Sequence, residues 1–474
     1  MAKYLTTTLP YVNADPHLGH ALEFVQADML ARTLRLSEEV FFNIGTDEHG
    51  TKIYEKALER GQEPQAYVDE FAARFRTFAD TLGISYTSFI RTTSPAHKEA
   101  AQAFWKRCES AGDIYKATYE VKYCVGCELE KTDSELVDGR CPLHPNLAIA
   151  LIEEENYYFR FSKYQEPLLK LYAARPDFVV PAERLNEIRA FVERGLKDFS
   201  VSRRKEKLPW GVAVPGDPEH VMYVWFDALV NYISVINWPR EEGGFSKWWP
   251  GMQLAGKDNL RQQSAMWQAM LMSAGLMPSK QIFIHGFITS GGQKMSKSLG
   301  NVIDPMALVG TYGVDAVRYV LLRHMSPFED SDLTEEGIKE AYTAHLVNGI
   351  GNLVARVMKL AEEHLPAPVV LTEDDTRIEA AFTEKVLAYR FNEAMDLIYE
   401  HVAKGDEYMT AEEPYKKVKV EATKGQALAD IEKLVRHLAK IAVHLAPSMP
   451  ATSEAILGAI RENKKPENLF PRLT

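Results

Sequence analysis

The chain has no apolar run long enough to span a bilayer, no internal repeat, no low-complexity tract and, among its 474 residues, only four cysteines. The first absence excludes a helical membrane protein. The next two exclude solenoids and disordered tails, and the scarcity of cysteine excludes a disulfide framework. A net positive field is also missing: 66 acidic against 55 basic residues give a formal charge of -11. Nucleic acid is therefore not held by bulk electrostatics, and any RNA partner has to be met by local basic patches. No charged and apolar leader precedes the first strand-like segment, which predicts a cytoplasmic protein. The common phosphate cradle, Gly-x-x-x-x-Gly-Lys-Ser/Thr, does not occur. What is present, 46% hydrophobic and 26% charged residues, is an ordinary globular composition with room for about three domains.

Residues 3–9 read as a buried strand, 10–16 as a turn-rich loop, and 17–36 as a helix through Leu22, Val25, Met29, Leu30 and Leu34. A strand at 40–45 and a helix from about Thr51 repeat the unit, so a parallel sheet with crossovers is expected. Between about Tyr115 and Pro215 the alternation gives way to a charged insert that carries three of the cysteines. It resumes with strand-like 221–226 and 253–256, a helix at about 260–275 and a strand at 281–286. From Leu346 the pattern is helical, with apolar stripes through Leu353 and Val357, Phe391 and Ile398, and Leu434 and Leu438. The expected fold is α/β: a doubly wound parallel-sheet (Rossmann-type) catalytic domain with a zinc-knuckle insert, then an α-helical bundle. The expected boundaries are 1–115 and 217–293 for the two halves of the sheet domain, 116–216 for the insert, 294–344 for a segment that opens with a lysine loop, and 345–474 for the bundle.

Three clusters carry chemistry. His17-Leu-Gly-His20 falls where a first strand gives way to a helix, where outward backbone amides and the helix dipole favour phosphate. Two imidazoles one turn apart donate hydrogen bonds in the same direction, and Gly19 leaves room for a flat base. Lys294-Met-Ser-Lys297-Ser follows Gly291-Gly292, a flexible loop whose two ammonium groups can close over a triphosphate. Each motif alone also fits plain solvated surface. Cys124-x-x-Cys127 and Cys141-x-x-His144 have the spacing of one structural zinc, closed to substrate; unliganded turns with free thiols are the alternative. Cys108, beside Trp105, reads as a buried apolar filler.

The ordered pair of the histidine and lysine motifs resembles the signatures of class I aminoacyl-tRNA synthetases, and the text between them is similar to the methionyl branch of that family. The blocks that carry the resemblance are Leu9-Pro-Tyr11-Val-Asn13, Gly45-Thr-Asp47-Glu-His-Gly-Thr51, Tyr223-Val-Trp225-Phe-Asp-Ala228, Gly256-Lys-Asp258 and Tyr312-Gly-Val-Asp-Ala-Val-Arg318-Tyr319. The resemblance implies that His17, Gly19 and His20 hold ATP, with which a Mg2+ travels, and stabilise the transition state, that Lys294 and Lys297 grip the leaving pyrophosphate, and that Asp258 binds the ribose. It further implies that Asp47 receives the methionine ammonium, while Leu9, Tyr11, Trp225, Ala228, Tyr232 and Trp267 enclose the side chain. Gln262-Gln263 stands where the family leads one to expect an aromatic and a histidine; Gln263 can hydrogen-bond a neighbouring tyrosine hydroxyl or face the sulfur.

In the bundle, Asn352 and Arg356 match the family's anticodon-reading pair and Pro414-Tyr415 replaces its Pro-Trp. The implied partners are L-methionine and tRNA(Met), initiator and elongator, and the short tail after the bundle predicts a monomer. Two other readings remain open: a class I synthetase of different specificity, such as cysteine, and a catalytically silent tRNA-binding module.

Overall fold

The computed structural model describes residues 2–131, 135–240, 244–294 and 303–473. They form two compact units. The first comprises Met1–Asp15, Phe41–Thr77 and Tyr86–Ile284, the second Pro16–Val40, Phe78–Ser85 and His285–Thr474.

In chain order the strands are β1 (Ala2–Thr7), β2 (Glu39–Thr46), β3 (Ser88–Arg91), β4 (Ile114–Cys124), β5 (Leu129–Lys131), β6 (Ala150–Phe159), β7 (Val179–Val180), β8 (Phe199–Ser200), β9 (Ser202–Arg204), β10 (Ala213–Val214), β11 (Asp217–Met222), β12 (Met252–Gly256) and β13 (Gln281–His285). The main sheet of the first unit has the order β3-β2-β1-β12-β13-β7. The pairs β2–β3, β1–β12 and β13–β7 are parallel. Consecutive buried residues in β1 and β12 identify central strands covered on both faces. The strand order reverses between β1 and β12, and in such sheets ligands bind in the crevice beyond the carboxyl ends at that reversal. Leu9–Tyr11 and Lys257–Asp258 follow those two ends.

Two expectations are corrected here. Residues 221–226 are not a strand of the parallel sheet. β11 ends at Met222 in a separate antiparallel trio, β10-β11-β9, and a short helix, Val224–Leu229, follows. A short apolar run does not distinguish a strand from a buried helical turn by periodicity. The insert is also not a wholly separate module. Its strands β4, β5, β6 and β8 form their own antiparallel sheet, but β7 joins the edge of the parallel one. Two residues carry too little pattern to announce such a return.

The core of the first unit is aromatic. Trp267 stacks on Phe104 with ring centroids 5.5 Å apart, and Phe226 meets both Phe104 and Trp105 edge-on. Cys108 is buried in the same core, as expected, and burial pushes its thiol up to about 12, too high for a reactive thiolate.

In the second unit the helices Asn352–His364, Phe391–Glu412 and Glu421–Leu445 bury the stripes read from the sequence. Arg318, fully buried on the helix Val314–Arg323, joins distant segments. It donates to Asp28 Oδ2 (2.7 Å) and to the carbonyls of Leu82, Pro447 and Ser448. Asp315, one turn earlier, accepts from the Thr452 N–H and hydroxyl and so fixes the start of the last helix, Pro450–Glu462. The block at 312–319 is therefore explained by packing.

Candidate functional site

Beyond the end of β1, Tyr11 makes an isolated parallel bridge with Asp47, closed by hydrogen bonds from the Asp47 N–H to the Pro10 carbonyl (2.9 Å) and from the Val12 N–H to the Asp47 carbonyl (3.2 Å). This places Asp47 just past the end of β2 and beside Tyr11. The Asp47 side chain is buried and its Oδ1 accepts no hydrogen bond. Burial, then the carboxylates of Asp227 and Glu128, push it well above the ordinary carboxyl range. A buried acid with one oxygen unsatisfied inside a negative field is a receptor for a cation.

Asp227 itself is held ionised by residues that the sequence reading did not select. His49 Nδ1 lies 2.5 Å from its Oδ2, and His97 Nε2 lies 2.8 Å from its Oδ1. Burial opposes ionisation there, but the two imidazoles outweigh it and hold Asp227 well below the usual range. Ser234 orients His97 at 2.9 Å. His49 stands inside the block at 45–51, so proximity to Asp47 was the available signal. His97 offered none, because its partner lies 130 residues away.

The aromatic wall is assembled around a break in a helix. The helix expected from about Leu260 is present to Ser273 but carries a π-turn, Gln262–Met266, ahead of its α-helical part, Trp267–Ser273, and a 3-10 turn, Lys257–Asn259, precedes it. The π-turn buries Gln263, whose Nε2 donates to the Tyr232 hydroxyl at 2.7 Å, the bond anticipated from the sequence. Gln263 Oε1 accepts from Gln253 at 3.3 Å. Tyr232 and Trp267 meet with centroids 5.9 Å apart. Trp225 and Ala228 lie on the helix Val224–Leu229 that also carries Asp227, and Leu9 is half-buried in the loop after β1. Asp258, exposed, sits on the turn directly after β12 and accepts from the Asn259 amide at 3.2 Å.

His17 and His20 belong to the second unit. His17 is the N-cap of the helix Leu18–Leu34, which begins one residue later than the helix expected at 17–36. The Gly19 N–H donates to His17 Nδ1 (3.1 Å) and the His17 N–H to His20 Nδ1 (3.2 Å), a reciprocal capping box. The rings stack at 3.7 Å. Because both Nδ1 atoms accept, each neutral ring carries its proton on Nε2 and is a donor there. Burial, then the neighbouring His17, push His20 well below the ordinary imidazole value, so it works as a neutral donor. A Cβ on Gly19 would lie 3.0 Å from His17 Cε1; the glycine is needed first for the stacked histidines.

The loop reading at Gly291-Gly292 is corrected. Both residues have positive φ and form a two-residue turn between β14 (Ile288–Ser290) and β15 (Gln293–Lys294), pairing Thr289 with Lys294. β16 (Ser331–Asp332) flanks β14, and Asp332 accepts from Thr289 and the Gly292 N–H. The Lys294 backbone is thus in a hairpin. Its side chain and all of Lys297 lie outside the described residues.

Cys124, Cys127, Cys141 and His144 come together with ligand atoms all within 4.8 Å of one another. Cys127 Sγ is 3.4 Å from Cys141 Sγ and 3.3 Å from His144 Nδ1, and Cys124 Sγ is 3.8 Å from that nitrogen. Tetrahedral zinc, with bonds of about 2.0–2.3 Å, sets ligand separations of roughly 3.3–3.8 Å, so three thiolates and one imidazole fit it with no open position. Gly126 lies under the imidazole: a Cβ there would come within 2.3 Å of His144 Cγ. Gly126→Ala is therefore expected to displace His144 and lower zinc affinity by at least about tenfold, read as metal content after dialysis against a chelator. Retention of a full equivalent would contradict this.

In the bundle, Asn352 is exposed and opens the helix Asn352–His364, just after a kink at Gly349. Arg356, one turn on, pairs with Asp406 at 3.3 Å. Pro414 is buried and starts a one-turn helix, Pro414–Lys417, while Tyr415 stands exposed beside it with its hydroxyl donating to Glu413.

A family model described as tRNA synthetases class I (M) matches residues 3–149 and 146–358. The methionine–tRNA ligase of Thermosynechococcus vestitus is 42% identical, the match covering 96% of this chain and 89% of that protein. The corresponding ligase of Thermotoga maritima is 39% identical over 98% of this chain and 76% of its own length. Among solved structures, Mycobacterium tuberculosis methionyl-tRNA synthetase in complex with methionyl-adenylate superposes with a TM-score of 0.89 at 34% identity, covering 100% of this chain and 99% of that one. With a parallel sheet that reverses beside Asp47, a histidine capping box and a Cys3His knuckle in its insert, the chain belongs to the class I aminoacyl-tRNA synthetases of the methionyl type.

Proposed function

We infer that the chain is a methionine–tRNA ligase: it activates L-methionine with ATP to methionyl-adenylate and transfers the methionyl group to the 3' end of tRNA(Met). The observation that carries this reading is the buried Asp47, with one oxygen unsatisfied and bridged through its backbone to Tyr11. A free amino acid with a long apolar side chain presents the matching ammonium and the matching surface.

In this reading Asp47 binds the ammonium, and Leu9, Tyr11, Trp225, Ala228, Tyr232, Gln263 and Trp267 bound the side chain. Gln263 is spent on Tyr232 and Gln253, so it orients the wall. The methionine carboxylate attacks the α-phosphate and the bond to pyrophosphate breaks, so no general base is needed and positioning with charge stabilisation supplies the rate. The neutral Nε2–H groups of His17 and His20 donate to phosphate oxygens, Lys294 and Lys297 neutralise the leaving pyrophosphate, and Asp258 holds the ribose. Mg2+ accompanies ATP, and zinc at the knuckle is structural. Asn352, Arg356, Pro414 and Tyr415 read the anticodon by hydrogen bonding and stacking, and initiator and elongator tRNA(Met) are both substrates. One copy carries every residue named, so the expected form is a monomer, and protein synthesis places its work in the cytoplasm.

Amino-acid-dependent exchange of pyrophosphate into ATP tests the activation step. Methionine is expected to drive exchange alone among the twenty standard amino acids, and Lys297→Ala to lower it by about a hundredfold or more. Exchange driven by another amino acid, such as cysteine, would reassign the specificity, and exchange with none would favour a silent RNA-binding module.

A further inference from the structure

Glu128 is the residue that follows the metal-ligating Cys127, and nothing in the tetrahedral set requires it. It is buried, 5% exposed, and holds φ at 51°, a left-handed conformation that a glutamate adopts at a cost. Its carboxylate points away from the ligands. It accepts the Tyr11 hydroxyl at 3.0 and 3.2 Å and the Lys52 backbone N–H at 3.0 Å. The Lys52 ammonium donates in turn to the Gly126 carbonyl inside the knuckle. Tyr11 is bridged to Asp47. A short path of hydrogen bonds therefore leads from the backbone turn between two metal ligands to the tyrosine beside the ammonium receptor. The strain at Glu128 is maintained by these two partners, Tyr11 and Lys52, and the same turn that aims the Cys127 sulfur aims the carboxylate at Tyr11.

We propose that Glu128 is a positioning residue for the amino-acid substrate: by accepting the Tyr11 hydroxyl it fixes the Tyr11 ring beside Asp47, so that the folded knuckle sets the affinity for methionine. This rests on Tyr11 and Asp47 being amino-acid-binding residues. The role is indirect, since Glu128 acts through Tyr11. Its effect belongs in the KM for methionine and not in the KM for ATP.

The test compares wild type with Glu128→Ala, Glu128→Gln, Tyr11→Phe and the double variant Tyr11→Phe/Glu128→Ala, measuring exchange kinetics and bound zinc on the full chain. The expected result for Glu128→Ala is a full equivalent of zinc, a methionine KM raised about tenfold, and kcat and the ATP KM within about twofold. Tyr11→Phe should raise the methionine KM similarly, and the double variant should be no worse than Glu128→Ala alone, because the Tyr11 hydroxyl bond is the one that the two changes share. Glu128→Gln, whose amide oxygen still accepts, should recover most of the loss. An unchanged methionine KM in Glu128→Ala, additive effects in the double variant, or zinc lost in proportion to the KM would each overturn the proposal. Failure of methionine to drive exchange in the wild type would instead overturn the functional reading beneath it.

Discussion

Asp47→Asn is expected to lower kcat/KM for methionine-dependent exchange by roughly thirtyfold to several thousandfold, while leaving the apo protein at least as stable. The loss follows from removing one partner of a buried charge pair, which typically costs about 2–5 kcal/mol, each 1.4 kcal/mol being about tenfold. Stability moves the other way because Asp47 is raised in the folded chain by burial, Asp227 and Glu128. A carboxyl whose folded value is raised stabilises the fold only while protonated, and that contribution is lost as pH rises through the folded value. Ionising the unliganded Asp47 therefore costs folding stability, a cost that a bound ammonium relieves. The wild-type melting temperature should rise with methionine, and that of Asp47→Asn should not. The methionine KM of wild type should climb on acidification at a higher pH than an unperturbed carboxylate would give. A variant that melts lower than wild type without ligand, or a flat KM profile, would contradict the assignment.

Arg318→Met is expected to destabilise the second unit by about 3–5 kcal/mol, the cost of leaving a buried charge without its partner. The charge left behind is Asp28. Burial opposes its ionisation, but Arg318 and then Arg32 outweigh burial and hold its carboxyl below the ordinary range. A depressed carboxyl contributes stability above its unfolded value, and the contribution is lost as pH falls through the folded one. The variant should therefore lose that acid-sensitive component as well as its carbonyl contacts to Leu82, Pro447 and Ser448. Adding Asp28→Asn should restore part of the loss, because it removes the unpaired charge. Urea denaturation of the two variants measures both effects. A single substitution costing less than about 1 kcal/mol would show that the clamp is incidental.

The parts of this molecule that were legible in the sequence are those in which local pattern and function coincide. Buried runs announced β1, β12 and β13, and amphipathic stripes announced the bundle. The cysteine spacing announced a cluster whose four ligand atoms do converge. Periodicity failed where the chain is short or irregular. Residues 221–226 look alike as strand or buried turn, β7 is two residues long, and the π-turn at Gln262–Met266 breaks a helix without proline or glycine to mark it. Long-range partners were invisible for a different reason. Nothing in the text around Glu128 names Tyr11, and nothing around His97 names Asp227, because those contacts are created by topology. Arg318 shows the converse: a residue inside a family block whose surroundings are wholly structural.

Whether one chain charges tRNA(Met) with methionine is decided by aminoacylation of tRNA(Met) transcripts carrying the native or a substituted anticodon. The account predicts methionylation of the native transcript, with at least about a hundredfold loss on substituting the anticodon and a comparable loss in Arg356→Ala on the native one. Methionyl-adenylate formation without transfer to either transcript, or transfer indifferent to the anticodon, would contradict it.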